Sequence, residues 1–165
     1  DDVQEMEKML NEYLQFSSSR SNEKTETFEI IDLIKNIIQK YENPNINLES
    51  DKRIYMSGRK NLIQRCLNNL LDNSIRYAKN IYIKISKTNS HIILLIDDDG
   101  PGIPKNEYDN VFKPFYKINK SRGDSKSSVG LGMSISSDVI KSHGGDISLD
   151  KSPQNGLRVR IILPF

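Results

Sequence analysis

Segments of helical periodicity alternate with short β-branched runs along this chain, and that alternation predicts an α/β or α+β fold. Three observations carry the prediction. Ile30 to Tyr41 repeats apolar residues at Ile30, Ile31, Leu33, Ile34, Ile37 and Ile38, the spacing of one helix face. Arg59 to Ala78 has no Pro and no internal Gly, and its Leu62, Ile63, Cys66, Leu67, Leu70, Leu71 and Ile75 follow the same period. Ile92 to Ile96 is an uninterrupted apolar run with the character of a buried strand.

The remaining elements follow in chain order. Asp2 to Phe16 places Val3, Met6, Met9, Leu10, Tyr13, Leu14 and Phe16 in a narrow stripe close to heptad spacing, which predicts a helix. Ser17 to Lys24 is a polar linker, and the main domain is expected over residues 25–165. Ile46 to Leu48 and Arg53 to Met56 read as short strands, Ile81 to Ile85 and His91 to Ile96 as longer ones. Leu131 to Ser142 reads as a helix. Asp146 to Leu149 and Leu157 to Leu163 read as a closing strand pair joined by a Pro-Gln-Asn-Gly turn.

Composition sets limits. The 165 residues fit one domain of ordinary size, and 24 Lys+Arg against 22 Asp+Glu give a formal charge of +2. That balance is too even to argue for nucleic acid or a membrane surface as a partner, and no nucleic-acid partner is expected. No apolar stretch is long enough to cross a bilayer, and no signal peptide is evident. Cys66 is the single cysteine, so no internal disulfide can form, as expected in a reducing cytoplasm. There is no internal repeat and no zinc-ligand cluster.

Four local patterns point to chemistry. In Asn69-Leu70-Leu71-Asp72-Asn73-Ser74-Ile75-Arg76-Tyr77, positions i and i+4 share a helix face, so Asn69, Asn73 and Tyr77 line up with Arg76 beside them. An amide oxygen can ligate Mg²⁺, which takes few protein ligands when phosphates supply the rest. Taken alone, the stripe fits a solvated polar face better. Next, the apolar run ends in Asp97-Asp98-Asp99-Gly100-Pro101-Gly102-Ile103, a turn by composition. A carboxylate at Asp98 could accept a hydrogen bond from the exocyclic amine of adenine and would repel the guanine carbonyl. Gly100 and Gly102 would let backbone approach the base.

Phe112-Lys113-Pro114-Phe115 then leads into a polar segment with Lys117, Lys120, Arg122 and Lys126, either a solvated basic loop or a lid over phosphates. Finally, Ser128-Val129-Gly130-Leu131-Gly132-Met133 opens a helical pattern, and N–H groups at a helix start favour anions. It lacks the Lys-Ser/Thr ending of a P-loop and the spacing of a dinucleotide fingerprint.

The order of these patterns, Asn69/Asn73, then Asp98/Gly100/Gly102, then Phe112/Phe115, then Gly130/Gly132, resembles the N, G1, F and G2 boxes of sensor histidine kinases. The resemblance runs from about Thr25 to Phe165, and the wording of the second and third motifs looks closest to EnvZ-like osmosensor kinases. It implies the ATP-binding fold shared with type II topoisomerases, Hsp90-type chaperones and MutL-type ATPases: a two-layer α/β sandwich, with helices on one face of a mixed sheet. It implies ATP and Mg²⁺ as ligands and ADP as product. Asn73 would hold Mg²⁺, Asn69 would contact the phosphate region, Arg76 would assist there and Tyr77 would pack on the adenine. Asp98 would read the amine, and Gly100, Gly102, Gly130 and Gly132 would give close backbone contacts. Lys117 and Arg122 would face phosphates, and Ile103, Phe115 and Leu131 would be apolar walls.

Within that superfamily, topoisomerase- and MutL-like ATPases carry a water-activating glutamate four residues before the Mg²⁺ asparagine. Here the position is Asn69, and a neutral amide takes no proton at pH 7. Phosphoryl transfer depends mainly on positioning and charge neutralisation, so the residue favours a kinase over a hydrolytic ATPase. The chain departs from the family with Ser127 and Ser128, where glycines are common, which leaves a degenerate nucleotide-binding module as a further alternative. The final strand also reads Gly156-Leu157-Arg158-Val159-Arg160 where a Thr is common, a change expected to matter little.

The resemblance further implies an acceptor histidine, yet neither His91 nor His143 has the acidic residue and proline that follow it; His143 reads as a helix C-terminal cap. Residues 1–16 resemble the end of the second helix of the dimerising, histidine-bearing domain. The expectation is therefore the cytoplasmic catalytic part of a longer kinase, with acceptor and membrane helices upstream in an inner-membrane homodimer. Its partners would be that dimerisation domain and the receiver domain of a response regulator. A short helix such as 1–16 is marginal alone, so the isolated chain need not dimerise.

Overall fold

The computed structural model describes residues 2–4, 6–8, 10–11, 13–14, 23–116, 118 and 132–165. In chain order the elements are β1 (Glu26–Glu29), α1 (Ile30–Tyr41), β2 (Ile46–Ser50), β3 (Tyr55–Gly58), α2 (Lys60–Tyr77), β4 (Ile81–Lys87), β5 (His91–Asp98), two 3₁₀ turns (Lys105–Glu107 and Asn110–Phe112), α3 (Gly132–Ser142), β6 (Asp146–Lys151) and β7 (Leu157–Pro164). The described residues between 2 and 14 are helical, and Val3, Met6, Leu10, Tyr13 and Leu14 on that segment are exposed.

Five strands form one mixed sheet in the order β2-β4-β5-β7-β6, with β2 parallel to β4 and the other pairs antiparallel. Alternation sends one set of side chains to each face. Ile81, Ile83 and Ile85, then Ile92, Leu94 and Ile96, then Val159, Ile161 and Leu163 are buried in the core with residues of all three helices. Tyr82, Lys84 and Arg160 on the opposite face are exposed. This is the two-layer sandwich with helices on one face. Ile34 and Ile37 of α1, Leu67 and Leu71 of α2, and Ile83, Leu94 and Ile96 of the sheet meet around one small internal gap.

The helix over Ile30–Tyr41 coincides with its expected span, and Lys60–Tyr77 falls one residue inside its own. The strand expected over Arg53 to Met56 is Tyr55–Gly58, and its partner β1 was not foreseen. Both differences have one cause: β1 and β3 form a separate antiparallel ribbon, Phe28 against Met56, whose pairing crosses about 30 residues of chain and leaves no local periodicity.

Helix α2, which carries the asparagine stripe, is held mostly by distant groups. Its N-cap Arg59 makes no side-chain cap, and its first turn has no acid of its own. Instead the Glu23 carboxylate accepts from the N–H groups of Asn61 (2.7 Å) and Leu62 (3.0 Å), and His143 Nε2 accepts from Arg59 N–H (3.0 Å). These fill part of the donor set that every helix start leaves open. His143 Nδ1 donates to the Val139 carbonyl (2.7 Å), so the ring caps the end of α3 and the start of α2 together. A carbonyl only accepts and a backbone N–H only donates, so this geometry needs the neutral ring. Burial, the largest cause, holds its pKa below the ordinary 6.5. Tyr41 at the end of α1 donates to Asp72 Oδ1 (2.8 Å) and the Asn68 carbonyl (3.2 Å), and burial and Asp72 both raise its phenol pKa.

Candidate functional site

Three of the four motifs converge along α2. At its middle, Asn69 lies beside the start of α3: a Cβ added to Gly132 would stand 3.8 Å from Asn69 Cβ. At its end, the Tyr77 carbonyl closes on the turn after β5, where a Cβ on Gly100 would lie 2.8 Å from that oxygen. Gly100 is therefore required by packing against α2 itself. Gly102 adopts φ +71°, the left-handed region open to glycine at little cost.

Asn69 and Asn73 are half-buried, Arg76 is exposed and Tyr77 is 52% exposed. Asn69 Nδ2 is buried with no hydrogen-bond partner among the described residues. Such an orphan costs about 1–3 kcal/mol, and a phosphate oxygen seated beside it would recover much of that. The donor set therefore fits an oxygen-rich anion. The helix pattern alone put Asn69 and Asn73 on one stripe; that the stripe faces the α3 start is tertiary.

The three consecutive aspartates separate into three tasks because strand alternation divides them. Asp97 points to the outer face and meets Arg158 in a two-pronged ion pair, Nε–Oδ1 2.7 Å and Nη2–Oδ2 2.8 Å. Arg158 thus ties β5 to β7. Asp98 points the other way and is 4% exposed. Its Oδ1 accepts from Gly100 N–H (2.9 Å) and Leu157 N–H (3.0 Å), while Oδ2 has no partner among the described residues. Asp99 accepts from the N–H groups of Lys79 and Asn80, each at 2.9 Å, and from Asn80 Nδ2 at 2.8 Å. The Asn80 backbone bond, with the others, lowers its pKa. It fastens the α2–β4 connection to the Asp98 turn. Sequence reasoning missed Asp99 and Arg158 as supports, although the run of three acids is itself the signal.

The Phe112–Phe115 motif begins on the last residue of the second 3₁₀ turn. Val111 is buried and Phe112 packs on the core, whereas Phe115 is 55% exposed at φ +65°. Tyr116 O–H donates to the Glu107 carboxylate, anchoring the point where the polar segment begins. Ile103 is half-buried against the core. Lys117, Arg122, Ser127, Ser128, Gly130 and Leu131 lie outside the described residues.

Comparison with known proteins gives the family. Residues 58–165 match the family described as histidine kinase-, DNA gyrase B-, and HSP90-like ATPase, and the chain belongs to that family. The sensor histidine kinase GtrS of Pseudomonas aeruginosa is 34% identical over 102 residues, which cover 62% of this chain and 21% of that protein. The sensor histidine kinase CpxA of Escherichia coli is 32% identical over 109 residues, 66% and 24% of the two chains. WalK of Bacillus subtilis is 25% identical over 178 residues, 99% of this chain and 29% of its own. The chain thus spans less than a third of the length of these relatives. Among solved structures, a mycobacterial sensor histidine kinase, MprB, superposes with TM-score 0.73 at 24% identity, covering 86% of this chain and 97% of that one. Full-length ShkA in complex with AMPPNP gives TM-score 0.80 at 16% identity, covering 96% and 35%. At these identities the structures speak for the fold. Family, relatives and fold together make the chain a catalytic ATP-binding domain of the sensor histidine kinase type.

Proposed function

We propose that this domain binds ATP with Mg²⁺ and transfers the γ-phosphoryl group to a histidine on a dimerisation domain of the same parent protein, for relay to a response-regulator receiver domain. The observation that carries the reading is the pairing along α2 of an orphaned Asn69 amide with a buried Asp98 whose Oδ2 is left open. One group answers a phosphate, the other an exocyclic amine, at opposite ends of one helix segment.

In this reading Asn73 ligates the metal and Asn69 the phosphate region, while Arg76, Lys117 and Arg122 supply positive charge. Asp98 accepts from the adenine amine, Tyr77 stacks on the base, and Ile103, Phe115 and Leu131 wall it. Gly130 and Gly132 present backbone N–H groups to phosphate. Mg²⁺ would neutralise charge on the phosphate oxygens. The acceptor imidazole nitrogen attacks the γ-phosphorus, the bond to the β–γ bridging oxygen breaks, and ADP leaves with that electron pair. No protein base is needed to activate water, which fits Asn69 where hydrolytic relatives carry glutamate. The parent would be a homodimer in the inner membrane with this domain in the cytoplasm, and residues 1–16 would end its dimerisation helix. Among the described residues no helix is long and apolar enough to span a membrane.

Calorimetric titration with ATP and GTP, with and without Mg²⁺, is the test, together with phosphate release and transfer of γ-labelled phosphate to a histidine-bearing dimerisation domain. ATP-selective binding, negligible release and labelled acceptor are expected. Steady phosphate release without acceptor would replace this reading with a hydrolytic ATPase, and absent binding would make the domain degenerate.

A further inference from the structure

We propose that Ser152, in the turn between β6 and β7, is a positioning residue for nucleotide-base selection: it locks the Asp98 backbone so that one carboxylate oxygen stays open for the base. The inference rests on the reading of Asp98 above and adds a residue that no motif contains.

The pairing of β5 with β7 stops at Asp97 and Arg158. One residue further, the ladder is replaced by side chains. Leu157 N–H donates to Asp98 Oδ1 (3.0 Å), and the Asp98 carbonyl is taken by the Ser152 hydroxyl at 2.5 Å. Ser152 Oγ in turn accepts from Gly156 N–H (2.9 Å) and Gln154 N–H (3.2 Å), so this hydroxyl uses its one proton and both lone pairs. Ser152 is 4% exposed, and its own N–H donates to the Gly156 carbonyl at 2.9 Å.

The turn also sits flush against Asp98. A Cβ on Gly156 would stand 2.2 Å from the Asp98 carbonyl oxygen and 2.3 Å from Oδ1, distances that no real Cβ tolerates. Gly156 thus lets the turn come close enough for Leu157 N–H to reach Oδ1, and Ser152 holds it there. With Gly100 N–H on the same oxygen, the carboxylate orientation is set before any ligand arrives. A preset acceptor avoids the ordering cost on binding.

The test compares ATP with purine riboside 5′-triphosphate, which lacks the exocyclic amine, by calorimetry on wild type and Ser152→Ala. Wild type should favour ATP. Ser152→Ala should weaken ATP binding roughly fivefold to tenfold, the effect of about one hydrogen bond, and leave the amine-free nucleotide within about twofold. Ser152→Thr retains the hydroxyl and should recover ATP affinity. If Ser152→Ala does not fold by circular dichroism, Ser152→Cys, of similar size and a weaker donor, takes its place in the same comparison. Equal weakening of both nucleotides, or no weakening of ATP, would overturn the inference while leaving Asp98 as reader. If wild type binds the two nucleotides equally, the Asp98 reading fails and the positioning role falls with it.

Discussion

Replacing Asp98 by Asn separates the fold role of this residue from its proposed ligand role. The side-chain oxygen of Asn can stay where Oδ1 is and keep both N–H donors, Gly100 and Leu157. Those two bonds then fall from charged to neutral strength, costing about 1–2 kcal/mol of stability, or roughly a few degrees in Tm. At the open position an NH₂ replaces Oδ2. A hydrogen bond to a charged acceptor, worth about 1.5–3 kcal/mol, is lost, and two donors face each other. The sum is about 3 kcal/mol, which is roughly a hundredfold in Kd. Guanine presents a carbonyl at the same place, so GTP binding should hold or improve and the ATP/GTP ratio should collapse. Calorimetry with both nucleotides, on protein checked for folding, reads both effects. A folded Asp98→Asn variant that binds ATP within about threefold of wild type would show that the carboxylate does not read the amine, since a hydrogen bond of this kind cannot be lost for less.

Other expectations follow from single contacts. Asn73→Ala should abolish the Mg²⁺-dependent part of ATP affinity and phosphoryl transfer while leaving Tm within about 1 °C, a half-exposed polar site being cheap to truncate; unchanged transfer would remove Asn73 as metal ligand. His143 is neutral in its double cap and its pKa lies below 6.5 in the fold, so below pH 6.5 the unfolded chain binds more protons and stability falls as pH falls. Urea unfolding across that range should show a slope that His143→Gln reduces; identical slopes in both proteins would mean the ring is not the group. Burial pushes the Cys66 thiol up to about 12, and its Sγ donates to the Ser136 carbonyl at 3.8 Å, so a thiol reagent at pH 8 should label it only at the rate of unfolding. Fast labelling of native protein would show that the α2–α3 seam opens.

The fold also explains why the asparagine-bearing helix α2 is positioned from far away. α2 begins without a cap of its own, and Glu23 and His143 supply acceptors from either side of it in the chain. At its other end Asp99 ties the outgoing loop. The asparagine stripe is thus held at both ends by charged or polar groups whose partners are backbone N–H donors, contacts that fix position without constraining the residue type at the donor.

What the sequence determined by itself was whatever repeats locally. Helical period set α1 and α2 almost to the residue, the apolar run set β5, and an i, i+4 stripe put Asn69 and Asn73 on one face. Motif order was enough for the family. The tertiary structure decided everything that depends on residues meeting across long stretches of chain. The β1–β3 ribbon has no internal period to betray it. Asp97, Asp98 and Asp99 look alike in sequence, yet alternation and neighbouring strands give them an ion pair, an open carboxylate and a loop clamp. Ser152 and Gly156 read as ordinary turn residues until the turn is seen against Asp98. The physical reason is that periodicity reports which side of an element is buried, whereas a hydrogen bond between residues 54 apart in the chain exists only once two strand ends have been brought within 3 Å.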